Sequence, residues 1–370
     1  MVAFADDIEI GVFMRGADVM QESLFTTVHL ESFVPADHPI RPIRALFDAA
    51  LKRISPLLDT AYAEGGRESI PPERLLRAQL LQVLYSIRSE RQLVEQVHYN
   101  LLFRWFVGLS IDDAVWNHST FSKNRDRLLE HAVIPELFAE VVRLAEQRDL
   151  LSTDHFSVDG TLIQAWASHK SFRPKDDGPG DIGRNRERDF HGEQRKNDTH
   201  ASTTDPDARL YRKSANTAAV LCYQGHTVVE NRHGLVVRAH VSHATGTAER
   251  DTALELLESL PGKRRKTVGA DKGYDVKSFV TKCRALRITA HVAAKDKGSA
   301  IDQRTRRHAG YAVSQRKRKR VEEPFGWGKV IGTIRQVKQR GKARVHALFQ
   351  LTMMGWNLVR MRNLLAAGGT

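Results

Sequence analysis

Cysteine is almost missing from this chain. Cys222 and Cys283 are the only two in 370 residues. They are too few and too far apart for a disulfide framework or a zinc cluster, and they fit a reducing compartment. No stretch is long and apolar enough to span a membrane. The N-terminus carries Asp6, Asp7 and Glu9 where a secretory signal would need cations and then an apolar run. No G-x-x-x-x-G-K-[ST] pattern occurs, so a phosphate-cradling loop of that kind is excluded and no nucleotide cofactor is expected. Negative charge is in deficit too: 57 Lys and Arg stand against 44 Asp and Glu, a formal net charge of +13. A soluble, cytoplasmic chain with an anionic partner, nucleic acid first among the choices, is what remains.

What the chain does have is enough apolar material, 41% of residues, for a sizeable core and two or three domains. Residues 1–34 show little pattern and read as an N-terminal extension. From 35 to 150 the spacing predicts helices. Ile43, Leu46, Phe47, Ala50 and Leu51 recur at helical intervals, and Gly65-Gly66 breaks that pattern. Ser69 to Glu73 opens a second helix, apolar over a wide face from Leu75 to Ile87. A third is expected from Ser89 through Phe106, ended by Gly108. A fourth starts near Ser119 or Thr120 as N-cap and places Lys123, Arg125 and Arg127 on its early turns. A short helix, a turn and a basic-fronted helix resemble a helix-turn-helix reader of DNA ends, and an exposed charged bundle face is the plainer alternative. A last helix over 134–148 closes this part.

At Thr153 the period changes from helical to alternating. His155 to Ile163 reads as a strand with Asp159 in its middle. Residues 168–213 are polar and almost without apolar side chains, and they read as a flexible insertion. Strands are expected over 218–229 and 235–241 around an Asn231–Gly234 hairpin turn. A helix over 247–260, a strand ending on Asp271, a helix over 276–286 and a strand over 288–292 follow. From Lys295 to Arg344, sixteen lysines and arginines face only Asp296, Asp302, Glu322 and Glu323. That band is where a phosphate backbone is expected. A C-terminal helix over 346–370 is expected to pack on the body of 151–345.

Within the band, Arg316, Lys317, Arg318, Lys319 and Arg320 run directly into Glu322 and Glu323, then Phe325, Trp327 and Lys329. Carboxylates in the most basic part of a basic chain suit a divalent cation, since hard metals take oxygen ligands, while the cations hold phosphate. Neutralisation of neighbouring cations is the bland reading. The order of strands and helices is ribonuclease H-like, with the first and fourth strands as neighbours. Asp159, Asp271 and Glu322 would then meet at one sheet edge. Glu323 competes with Glu322, but only Glu322 stands four residues after Arg318 and seven before Lys329, on one helical face. Asp154 reads as a strand-start turn, Asp275 as a helix cap, and Trp166 and Trp327 as core residues rather than stacking platforms. His169, His226 and His243 have no metal-ligand spacing.

Three pieces in order carry a family resemblance: V-D-G-T at Val158–Thr161, A-D-K-G-Y at Ala270–Tyr274, and R-K-R-V-E-E-P-F-G-W-G-K at Arg318–Lys329. With P-A-D-H-P-I-R-P-I-R at Pro35–Arg44, the chain from about residue 20 resembles the DDE transposases of bacterial insertion sequences, in particular the insertion sequence 5 group. It departs from the usual pattern in having Gln315 where a tyrosine precedes the arginine by three, with Tyr311 four residues further upstream. The resemblance implies an α+β protein: an all-helical domain for DNA binding and dimerisation, then a mixed five-stranded sheet flanked by helices. It implies Asp159, Asp271 and Glu322 as catalytic and metal ligands for two Mg2+ or Mn2+ ions. Arg318, Lys329, Arg316, Lys317, Lys319, Arg320 and Lys272 would hold DNA phosphates, and Lys123, Arg125 and Arg127 would read DNA ends. Double-stranded DNA, as terminal inverted repeats and as target, would be the partner, with a homodimer or higher on DNA and a location at the bacterial nucleoid. A catalytically silent DNA-binding protein and a nuclease without strand transfer are the alternatives.

Overall fold

The structure, a computed structural model, describes residues 29–61, 69–175, 195–214, 216–262 and 264–368. The expected extension up to residue 28, the Gly65-Gly66 break and residues 176–194 of the polar insertion lie outside the described residues. The first part is helical: α1 (Leu30–Phe33), α2 (Ile40–Arg53), α3 (Ser55–Thr60), α4 (Pro72–Leu84), α5 (Glu90–Tyr99), α6 (Leu101–Val107), α7 (His118–Glu130) and α8 (Val133–Gln147). α4 starts on Pro72, where a missing N–H costs nothing, and buries Leu75, Leu76, Leu80, Leu81 and Val83. The single helix expected from Ser89 to Phe106 is two. Asn100 is extended, and its Oδ1 accepts the Phe103 N–H at 3.2 Å, so the side chain ends α5 and starts α6. Gly108, at φ 92°, closes α6 in a conformation that other residues rarely adopt. α7 begins two or three residues earlier than expected, because Asn117 Oδ1 takes the Ser119 N–H at 2.9 Å and Asn117 is the cap in place of Ser119 or Thr120.

The second part contains β1 (His155–Ala165), β2 (Phe172–Pro174), β3 (His200–Ser202), β4 (Arg209–Tyr211), β5 (Val220–Glu230), β6 (Val236–His243), α9 (Ala248–Glu258), β7 (Lys266–Ala270), α10 (Lys277–Ala285) and β8 (Ile288–Val292). Then come α11 (Gln303–Arg307), α12 (Ala309–Lys317), a 3-10 turn over Arg318–Val321, α13 (Glu322–Val330), β9 (Gln336–Val337) and α14 (Lys342–Gly368). The central order is β6-β5-β1-β7-β8, with β5 antiparallel and β7 parallel to β1. This is the ribonuclease H-like arrangement. The sheet is wider than the five strands expected: β4 extends the outer edge of β5 and β9 pairs with the end of β1. The polar segment is also less bare than expected, since β2 and β3 pair into a separate ribbon. Its Asp205 is buried and accepts from the Tyr223 hydroxyl at 2.7 Å and the Gly341 N–H at 3.1 Å. Short strands in polar sequence form where side chains such as Asp205 tie them to the body, a long-range support that composition does not display.

Two apolar cores flank the sheet. Phe156 and Val158 of β1 face one, shared with α9, α10, β7 and β8. Ile163 and Ala165 face the other, which runs without a break into the helical part and α14. α14 therefore does more than cover the sheet. Leu348, Leu351, Met354 and Leu358 belong to the same core as Leu75, Leu80 and Val141. Arg344 on its first turn pairs with Asp126 of α7 at 2.9 Å. Among the described residues no helix is long and apolar enough to cross a membrane.

Several side chains of α14, among them His346, Gln350, Trp356 and Asn357, hydrogen-bond β6 and its hairpin, and Asn357 makes the paired contact. The buried Asn357 accepts from the Val236 N–H and donates to the Val236 carbonyl, each at 2.8 Å. Asn357→Ala leaves both buried backbone groups unpaired. Equilibrium denaturation should report a loss of about 2–4 kcal/mol, and an unchanged midpoint would refute this account of the docking.

Candidate active site

β1 and β7 run parallel with Ser157 opposite Gly269. Two residues further on, the register sets Asp159 beside Asp271. β7 stops there because Asp271 turns its side chain onto the backbone: Oδ1 accepts the Gly273 N–H at 2.8 Å and caps a 3-10 turn over Lys272–Tyr274. Between Ser157 and Gln164 no strand among the described residues pairs with the β7 side of β1, and β9 pairs only from Gln164 onwards. The carboxylates occupy that gap.

Their electrostatics are unfavourable as they stand. Burial, and then the charges of Asp271 and Glu249, push the Asp159 carboxyl up to about 7, against the Gly160 N–H at 2.8 Å and Lys213. Burial and Asp271 also raise Glu249. The Tyr274 hydroxyl is buried without a hydrogen-bond partner, and burial with the charges of Glu249, Asp159 and Asp271 raises it well above its ordinary value. A half-buried, all-oxygen set of mutually repelling carboxylates fits a hard divalent cation, whose charge would reverse each of these shifts. Among the described residues no three His, Cys, Asp or Glu side chains already stand together in a metal-holding group.

Glu322 opens α13 with an exposed side chain. The 3-10 turn before it packs on β1. Glu323 lies instead by the β5–β6 hairpin, its Oε2 4.0 Å from where a Cβ on Gly234 would be. Arg318 sits over β7, its Cβ 3.5 Å from the notional Cβ of Gly269, and its buried Nε has no partner. Lys329 is half-buried, and burial with the nearby Lys213 and Arg335 lowers its pKa while Asp159 opposes the shift. Lys329 thus lies within reach of the Asp159 charge, and Arg318 lies against the strand that leads into Asp271. Arg320 does something else: its guanidinium donates to the carbonyls of Asn231 (3.1 Å) and Arg232, bracing the 3-10 turn against the hairpin. Arg316, Lys317 and Lys319 are exposed. Lys272 is exposed 3.4 Å from Asp296.

Away from this gap, Arg125 is held by Glu90 and Asp126, whereas Lys123 and Arg127 are exposed on α7. Asp275 ends the 3-10 turn over Lys272–Tyr274, and Val276, not Asp275, is the N-cap of α10. The Asp275 Oδ1 and Oδ2 accept the N–H groups of Ala300 (2.8 Å) and Lys295 (2.7 Å), fixing the loop after β8. Tyr311 anchors α12 by donating to the Val292 carbonyl at 2.8 Å. Trp327 packs on Trp356, but Trp166 is 49% exposed with Lys338 over its ring, contrary to the core position expected. Sequence reasoning missed Glu249 and Lys213. Glu249 carried no signal, since it reads as ordinary charge on the first turn of a helix. Lys213 carried none inside a polar segment.

The sign of the Asp159 shift gives a test. Its folded pKa lies above the ordinary 3.8, so the metal-free fold loses stability as pH rises from about 4 to 7, and the full penalty stands above 7. In EDTA at pH 8, Asp159→Asn should unfold later than wild type by on the order of 3 kcal/mol. Equal denaturation midpoints at pH 8 would remove the repulsion from this account.

Residues 28–127 match the transposase domain DUF772, and residues 152–358 match the transposase DDE domain. Among solved structures, the chain is similar to the piggyBac transposase synaptic complex with hairpin DNA, at 9% identity over 89% of this chain and 76% of that one, with a TM-score of 0.42. It is also similar to the Mos1 mariner paired end complex with Mn, at 11% identity over 92% and 95%, with a TM-score of 0.23. The DDE domain match spans more than half of the 370 residues, and this chain belongs to the transposase DDE domain family.

Proposed function

We propose that the chain binds the terminal inverted repeats of a mobile element, cuts the phosphodiester at each end and joins the freed 3′-hydroxyl to target DNA. The observation that carries this reading is the register that sets Asp159 beside Asp271 in a gap of the sheet, with Asp159 pushed up to about 7 by burial and like charge. Asp159, Asp271 and Glu322 would hold Mg2+ or Mn2+, two ions per site, with Glu322 reaching in from the first turn of α13. When bound, the ions supply activation of the attacking oxygen and charge compensation at the leaving oxygen.

The protein's own residues supply position. Arg318, with its unpartnered buried Nε, would grip the phosphate at the scissile bond as a fork, and Lys329 would add a point charge from the other side. In the cutting step a water oxygen attacks phosphorus, the bond to the element's 3′ oxygen breaks, and that oxygen leaves as a hydroxyl. In the joining step the same hydroxyl attacks a target phosphodiester, and one bond again replaces another, so no nucleotide need be consumed. Arg316, Lys317, Lys319 and Lys272 extend a cationic surface for the flanking backbone. The helical part, 35–150, would read the ends through Lys123 and Arg127 and provide contacts for a dimer on DNA, with residues 151–345 as the catalytic part. Arg125, tied to Glu90 and Asp126, would set the pose of α7 instead of reading bases.

The test is cleavage of a labelled duplex carrying the element's ends. Asp159→Asn, Asp271→Asn and Glu322→Gln should each lower metal-dependent cleavage by at least about a thousandfold while binding the duplex as wild type does. Cutting without joining would favour a plain nuclease, and binding without cutting in any metal would favour a silent DNA-binding protein. Arg318→Ala should cost about a hundredfold in rate at saturating DNA; a loss confined to DNA affinity would refute its place at the scissile phosphate.

A further inference from the structure

Glu249, on the first turn of α9, is used by nothing described so far. It lies on the opposite side of β1 from α13, and its side chain presses against the backbone beside Asp159. A Cβ on Gly160 would come within 2.8 Å of Glu249 Cγ and 2.9 Å of its Oε1. Residue 160 can be nothing larger than glycine while Glu249 keeps this place. α9 has an open polar side available, yet Glu249 is turned inward. The Gln224 amide and the cations Lys213 and Arg250 oppose its raised pKa, and among the described residues no ion pair holds it.

Two buried polar groups point to the same place. Tyr274 is 1% exposed and its hydroxyl has no partner, although Glu249, Asp159 and Asp271 all act on it. Gln224 is 2% exposed and its Oε1 is likewise unpartnered. Polar groups so deeply buried are normally hydrogen-bonded, and unpaired ones cluster where a ligand completes the set.

We propose that Glu249 is a fourth carboxylate of the divalent-cation site, entering from the α9 side across Gly160 and serving with Asp159 and Asp271 to bind the cation. The inference rests on the cation-dependent reading above and deepens it. As a cation ligand Glu249 raises the site's affinity, and its close contact at Gly160 holds the Asp159 strand in place. A buried carboxylate without this role would be a cost to the fold and nothing else.

The experiment is calorimetric titration of the full chain with Mn2+ in the absence of DNA, beside thermal unfolding in EDTA. Glu249→Gln should unfold no earlier than wild type in EDTA, since it removes a buried charge. It should bind Mn2+ about tenfold to a hundredfold more weakly. Gly160→Ala, which displaces Glu249 without removing charge, should weaken Mn2+ binding in the same direction. Asp271→Asn is the reference. If Asp271→Asn loses Mn2+ while Glu249→Gln binds it as wild type does, the inference falls and the proposed function stands. If wild type itself binds no Mn2+, both fall.

Discussion

Like charges forced together in a half-buried gap are the constraint on which this molecule depends. Asp159, Asp271 and Glu249 repel one another, and burial sharpens the repulsion by removing the water that would screen it. Nothing in the fold relieves this fully. Lys213 and Lys329 contribute opposing charge at the rim, and one of them is itself pushed down by its neighbours. The two apolar cores on either side of the sheet supply the rigidity that keeps these acids close. The protein therefore holds its acids apart from water and close to each other at the expense of stability, an arrangement that a bound cation would convert from a burden into a fit.

The sheet explains how such strain is confined. β1 is flanked by β7 at its start and by β9 at its end, and the gap between them is the one length of its parallel side that lacks a partner strand among the described residues. Asp159 needs no distortion to stand there. Parallel pairing brings Asp271, more than a hundred positions away, to the same level by register alone. The 3-10 turn before α13 lies over the same strand, which brings Arg318 against Gly269 of β7.

Asp159 and Asp271 stand out in the sequence because one lies in a strand of alternating pattern and is followed by glycine, and the other stands directly after a short strand at a turn, and local pattern is what a sequence displays. The helices of the first part were legible for the same reason, apart from the break at Asn100, where one side-chain hydrogen bond overrides an unbroken apolar period. Glu249 was not legible. Two positions into a helix, a glutamate reads as ordinary N-terminal helix charge, and only the fold reveals the strand it touches. Arg125 and Arg320 mislead in the opposite direction. In sequence they are cations available to DNA, but one is closed by Glu90 and Asp126 and the other by hairpin carbonyls. Charge counts are visible in a sequence; which charges are already satisfied is not.

The shared helix α14 has a consequence for the order in which the chain becomes structured. Its buried face completes a core whose other walls are α2, α4 and α8, laid down roughly two to three hundred positions earlier. During synthesis those helices leave the ribosome with an apolar surface uncovered, and it stays so until residues 345–361 arrive. Contacts this distant in sequence close slowly, because a long loop must be restricted before any contact rewards it. The helical part is thus the first to be made and among the last to be finished. In the interval the growing chain is exposed to chaperones, to proteases and to any DNA that its cationic surfaces meet.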